Sequence, residues 1–201
     1  MANRFGANAS IVTLTAVVLF AFSMLIGSNF LSYLSSIFIA LGFVPMVCAH
    51  ASRAGQQHKA AAYTAIGFAA VYCVLIFIVY FTQLTVDFST LSAEATALLD
   101  YSKFGLFFSL DLLGYAFMAL STFFISLTLQ PKDRGDKWLK RLLAIHGIFA
   151  ITCFVMPMLG IFKPDMPGGD LTGTLVLEFW CLYFAPICIL SARYFRKARE
   201  A

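Results

Sequence analysis

FGLFFSLDLLGYAFMALSTFFISLTL, residues Phe104 to Leu129, is an apolar run that carries one carboxylate, Asp111, in its first third. A helix needs roughly 20 residues to cross about 30 Å of hydrocarbon, so this run is long enough to span a bilayer. A soluble helix of this composition would have no polar face to give to water. The run therefore sets the class, and the rest of the chain agrees with it: 61% of the residues are apolar, 12% are charged and 22 are phenylalanine, where a soluble domain has roughly 25% charged residues.

Five further apolar runs flank this one, and the expected architecture is all-α: a single integral domain of six transmembrane helices. The spans fall at about 10–26, 30–49, 60–81, 104–129, 142–162 and 174–194. Gly27-Ser28-Asn29 supplies a tight reversal between the first two. Ser32, Ser36 and Ala40 in the second span, and Ala61, Ala65 and Ala69 in the third, form small-residue stripes that let helices approach closely without a hydrophobic driving force. Pro45 lacks an amide hydrogen and is expected to weaken or kink its helix. Tyr72 and Tyr80, late in the third span, need a polar partner or an interface.

The longest connection, 82–103, holds a Ser92 cap ahead of Glu94, with Leu91, Ala95, Leu98 and Leu99 on one side. It predicts a short outer amphipathic helix on the membrane surface. Asp100 and Lys103 are spaced to pair there, for about 0–1 kcal/mol. A charged turn at 130–137 and Trp138 mark the next interface, and the proline- and glycine-rich stretch 163–173 forms a turn.

Twelve of the fourteen Lys and Arg residues lie at the N-terminus, in 50–59, in 130–141 or in the tail with Arg193, Arg196, Lys197 and Arg199; Lys103 and Lys163 lie on the other side. Seven of the ten acids fall in the other loops or the adjoining membrane half. The positive-inside rule then places both termini in the cytoplasm of a multi-pass protein of the inner (cytoplasmic) membrane. A similarity between IFIALGFVPMV (37–47) and IFAITCFVMPML (148–159) raises inverted three-helix repeats, but residues this common here match by chance.

A charge at a helix centre costs about 2.5–3.5 kcal/mol on insertion scales, so such residues face protein or water. In a regular helix Asp111 shares its side with Phe107, Gly114, Tyr115, Met118 and Thr122. Leu106, Leu113, Ala116, Phe117, Leu120, Phe124 and Leu127 lie opposite and suit lipid. Tyr115, four residues on, is placed to hydrogen-bond the carboxyl. Glu178 lies at similar depth in the sixth span, beside Thr174, Cys181 and Ala185, with Trp180, Tyr183 and Ile187 mostly opposite. His146 shares a face with Ala150, Cys153 and Pro157, a relay position or a packing one.

The candidate binding residues are thus Asp111, Tyr115, Glu178 and His146, with the two acids expected to line an outward-facing vestibule. Catalytic, metal and cofactor sites are not expected. All five cysteines sit in apolar runs without a CxxC, His50 and His58 lack further ligands at useful spacing, and no nucleophile, P-loop or haem motif occurs. No mid-span lysine offers a retinal-type Schiff base, and no soluble segment is large enough to bind nucleic acid. Two functions remain: a small transporter or channel-like protein, and a membrane scaffold or accessory subunit without transport. The expected partners are the lipid bilayer and a second copy or another membrane protein.

Overall fold

Close approach between helices is set by small residues, and one was not apparent from the stripes. A Cβ at Gly42 would fall 2.5 Å from Thr13 Oγ1 and 2.8 Å from its backbone nitrogen, so only glycine lets the first two helices meet here. The computed structural model describes residues 2–161 and 169–197. Its principal helices are α1 (Ala2–Leu25), α2 (Asn29–Ala51), α3 (Lys59–Thr85), α4 (Ala93–Leu99), α5 (Leu106–Thr128), α6 (Arg134–His146), α7 (Ile148–Met158) and α8 (Gly169–Lys197). Six helical stretches are long and apolar enough to cross a membrane, α6 and α7 together making one.

The helices close a ring. α1 packs on α2 and α8, α2 on α3, α3 on α5, α5 on α6 and α7, and α6 on α8. Ser32, Ser36 and Ala40 are buried on α2, and Ala65 and Ala69 on α3 are fully enclosed. At Ala65 the missing bulk has a direct use, because Ser121 of α5 reaches across to donate to the Ala65 carbonyl at 2.8 Å. Hydroxyls elsewhere bond back along their own helix, Ser10 to Gly6 O and Thr13 to Ala9 O among them, which removes a polar demand from an apolar environment. α2 continues through Pro45 to Ala51, so this proline does not end the helix.

The stretch expected as one helix from 142 begins earlier and is broken. Asp133 caps α6 by accepting from Asp136 N, which carries helix back to Arg134, and Gly147 separates α6 from α7. A Cβ at Gly147 would lie 2.9 Å from Phe123 Cβ, so the break sits where α5 presses closest. α8 buries Trp180, Phe184, Ile187 and Phe195 together with Cys181 and Cys188. Trp180 and Ile187, placed on the far side from Glu178, are therefore core, and Glu178 sits on the flank of that stripe. Ala116, expected to face lipid, is also enclosed; its single methyl fits where a larger residue would not.

Two ends can be distinguished. At one, Gly6, Ala49 and Phe195 meet, and Lys197 of α8 pairs with Asp133 and lies 3.9 Å from Asp136. Arg53 lies over the Tyr194 ring at 4.2 Å. This is the basic end. The opposite end holds the Gly27 reversal, with φ +68, and the connection 86–105. There Ser92 caps α4 by accepting from Ala95 N. Asp100 does not pair with Lys103: its carboxylate accepts from Ser102 N and Oγ at 2.9 and 2.8 Å, a shorter reach than to a mobile lysine. Of the expected turn at 163–173, residues 163–168 fall outside the described residues, as does Arg199, and 169–173 are not a turn but the start of α8.

Candidate functional site

Asp111 lies one and a half turns into α5, 2% exposed. Its placement begins in the connection before it. Gln83, near the end of α3, donates to Leu99 O at 2.8 Å and accepts from Tyr101 N at 3.1 Å. That clasp holds the connection against the bundle. Phe104 adopts a left-handed conformation, φ +54, and Gly105 follows at a point where a Cβ would overlap the Ala97 carbonyl. The chain thereby folds back over the start of α5 and delivers Tyr101 onto Asp111.

The Tyr101 hydroxyl donates to Asp111 Oδ2 at 3.4 Å, long for an O–H···O bond. Tyr80 of α3 lies beside the same carboxyl. Burial, and then the neighbouring carboxyl, push the Tyr101 phenol well above its ordinary value, so it remains a donor. Tyr101 packs between Tyr33 at 6.1 Å, Tyr80 at 5.9 Å and Phe108 at 5.3 Å, and Tyr33 and Tyr80 are 5.5 Å apart. Four elements contribute to this aromatic enclosure.

Deeper in the core the polar groups are left over. Asp111 Oδ1, Tyr72 Oη and Tyr115 Oη are buried without a hydrogen-bond partner among the described residues. Tyr115 does not bond Asp111 as its spacing suggested. Its ring is held by Tyr72 at 5.8 Å and edge-on by Trp180 at 5.3 Å, and that packing fixes the hydroxyl. Asp111 makes no ion pair among the described residues. A buried polar atom without a partner costs about 1–3 kcal/mol, so three in one neighbourhood are unusual.

His146 belongs to a different kind of cluster. The Trp180 indole donates to Nε2 at 3.1 Å, and Nδ1 meets Thr122 Oγ1 at 2.8 Å. An indole can only donate, so Nε2 carries no proton and Nδ1–H donates to Thr122, whose own hydroxyl donates to Ala119 O at 2.8 Å. Each group is used. His50, buried near the basic end, is likewise engaged: Nε2 lies 3.0 Å from Ser191 Oγ and the ring packs on Phe195 at 4.5 Å.

Glu178 is half-buried on the flank of α8, and its Oε1 has no partner among the described residues. No described hydrogen bond links it to Asp111. The structure thus brings Asp111, Tyr115 and His146 into one connected core, through Trp180, and leaves Glu178 beside it. Tyr101, Tyr33, Gln83 and Trp180 were not apparent as site residues. Tyr80 had shown its need for a polar partner or an interface, and it lies beside Asp111. No group of three or more His, Cys, Asp or Glu side chains suited to a metal ion occurs among the described residues.

No protein-family model matches the chain, and neither a curated protein nor a solved structure shows significant similarity to it.

Proposed function

We propose that the chain is a multi-pass protein of the cytoplasmic membrane, with both termini in the cytoplasm, and that it works as a small transporter or channel-like protein at Asp111. Large apolar side chains turned outward from the ring support the membrane reading: Leu25 is 71% exposed, Leu182 75% and Met158 79%, a surface that lipid covers and water does not. The clustering of lysine and arginine at one end supports this orientation.

The transport reading rests on one observation: a carboxyl closed into the core with one oxygen unpartnered, among phenols and without a cation. A group kept so expensively inside a bundle is a default candidate for a translocated proton or small cation. Tyr101 covers it from the opposite end, so this form is occluded rather than an open vestibule. Glu178, half-buried on α8 with one buried oxygen unpartnered among the described residues, is the second acid of this reading.

The test is flux in liposomes containing the purified chain, read with a pH-sensitive dye. Asp111→Asn is expected to abolish a pH- or ion-dependent flux while leaving folding intact, and Glu178→Gln to reduce it. Normal flux in both variants sinks the proposal. A second reading, a scaffold or accessory subunit, is favoured by α6 and α7, whose span is only 17% buried. It predicts no flux and co-purification with a membrane partner, another copy included.

A further inference from the structure

We propose that the Asp111 enclosure is a binding site for a small organic ammonium ion, with Asp111 as its anionic floor, Tyr33, Tyr80 and Phe108 as its aromatic walls, and Tyr101 as an internal plug that fills it in the closed form. The inference rests on the transport reading for its purpose but not for its test.

The walls decide the class of ligand. A proton needs a carboxyl and one partner; it has no use for a ring of aromatic side chains drawn from α2, α3, α5 and the connection. A metal ion needs several oxygen or nitrogen ligands, and beyond the Tyr101 hydroxyl that meets Asp111 the enclosure is built of aromatic rings. Alkylammonium ions are recognised by aromatic faces through the ring quadrupole, strengthened when desolvated, and a carboxylate completes the charge balance. Asp111 has no competing cation within ion-pair distance among the described residues. Its Oδ1 is still without a partner inside a residue that is 2% exposed.

Tyr101 has the features of a plug. Its ring occupies the space that the other three rings define, at 5.3–6.1 Å from each. It comes from a connection rather than a spanning helix, so it can leave without dismantling the bundle. Its bond to Asp111, at 3.4 Å, is slack, and its backbone amide is held by Gln83 Oε1 while its carbonyl accepts from Phe104 N within the same connection. A cleft of about 40 Å³, lined by Phe104, Phe108, Ser109, Pro157 and Gly160, lies beside the same wall and gives Phe108 room to shift. Withdrawal of Tyr101 would leave a pocket of one ring's size, open at the end opposite the basic one.

The experiment titrates tetramethylammonium into the full-length chain in lipid nanodiscs, followed by calorimetry and by saturation-transfer NMR on the methyl protons, with sodium chloride matched throughout. The wild type is expected to bind saturably. Asp111→Asn is expected to weaken binding by about tenfold or more, since the charge half of the recognition is gone. Gln83→Ala is expected to tighten it several-fold, because a ligand that binds only the unplugged form gains as that form becomes more populated. Tyr101→Ser replaces Gln83→Ala should that variant fail to fold. No saturable binding in the wild type and in the unclasped variant overturns the site, as does equal affinity in folded Asp111→Asn. Unchanged affinity in a folded Gln83→Ala and in Tyr101→Ser overturns the plug. Tetramethylammonium binding without any proton or ion flux leaves this site standing and removes the transport reading. Flux that depends on Asp111 without tetramethylammonium binding does the reverse.

Discussion

Two buried polar clusters share the core, and they are built on opposite principles. Around His146 every donor has an acceptor: Trp180 to Nε2, Nδ1 to Thr122, Thr122 to Ala119. Around Asp111 three polar atoms have none among the described residues. The first arrangement ties α5, α6 and α8 together; the second spends stability to hold reactive groups in place. Packing alone explains a histidine whose bonds are complete, whereas an incomplete set asks for a ligand, a proton or a second state.

Mutations can break this contrast, and the largest effect belongs to His146→Ala. It orphans the Trp180 indole and opens a void, with an expected loss of about 3 kcal/mol or more in thermal or denaturant unfolding. A midpoint unchanged from wild type would show that the complete cluster is not structural. Asp111→Asn carries the opposite sign: the amide removes a charge from the core and can donate to a phenol, so stability is expected to hold or rise by about 1–2 kcal/mol. A fall as large as that of His146→Ala would make Asp111 a structural tie and erase the distinction. Tyr115→Phe deletes an unpaired hydroxyl and is expected to gain about 1 kcal/mol; a loss would mean that the hydroxyl is engaged. Ser121→Ala, which removes a bond between α5 and α3, sets the scale for an ordinary interhelical contact at about 0.6 kcal/mol, measured in the same unfolding assay.

Much of the fold was legible because hydrocarbon imposes length. Six apolar runs of spanning length give six helices that can cross, and helical spacing placed Phe107, Gly114, Tyr115, Met118 and Thr122 with Asp111 on a buried side. Ala116 was misplaced because hydropathy counts an alanine as lipid-facing, while its size suits contact with another helix. Gly42 and Gly147 were not seen for a related reason: their value is the space they leave for Thr13 and Phe123, and spacing along one helix cannot show what approaches it. The site was half legible. Asp111 stands out as a charge in an apolar run, but Tyr101 sits in a polar connection where a tyrosine carries no periodic signal. Only the Gln83 clasp and the reversal at Phe104–Gly105 bring it across. Trp180 was hidden by the choice of Glu178 as the reference for its helix face.

The meeting of Gly6 with Phe195 sets a schedule as well as a contact. A Cβ at Gly6 would lie 2.8 Å from both Ala49 Cβ and the Phe195 ring, so the seam between α1 and α8 is cut to fit a residue made long after its partner. At about 5–20 residues per second, roughly 10–40 s separate the two ends of that seam. Throughout that interval α1 has α2 on one side and lacks α8 on the other. α8 is therefore the ring's closing piece, and until it arrives that side of α1 meets lipid, an insertase or a neighbouring chain.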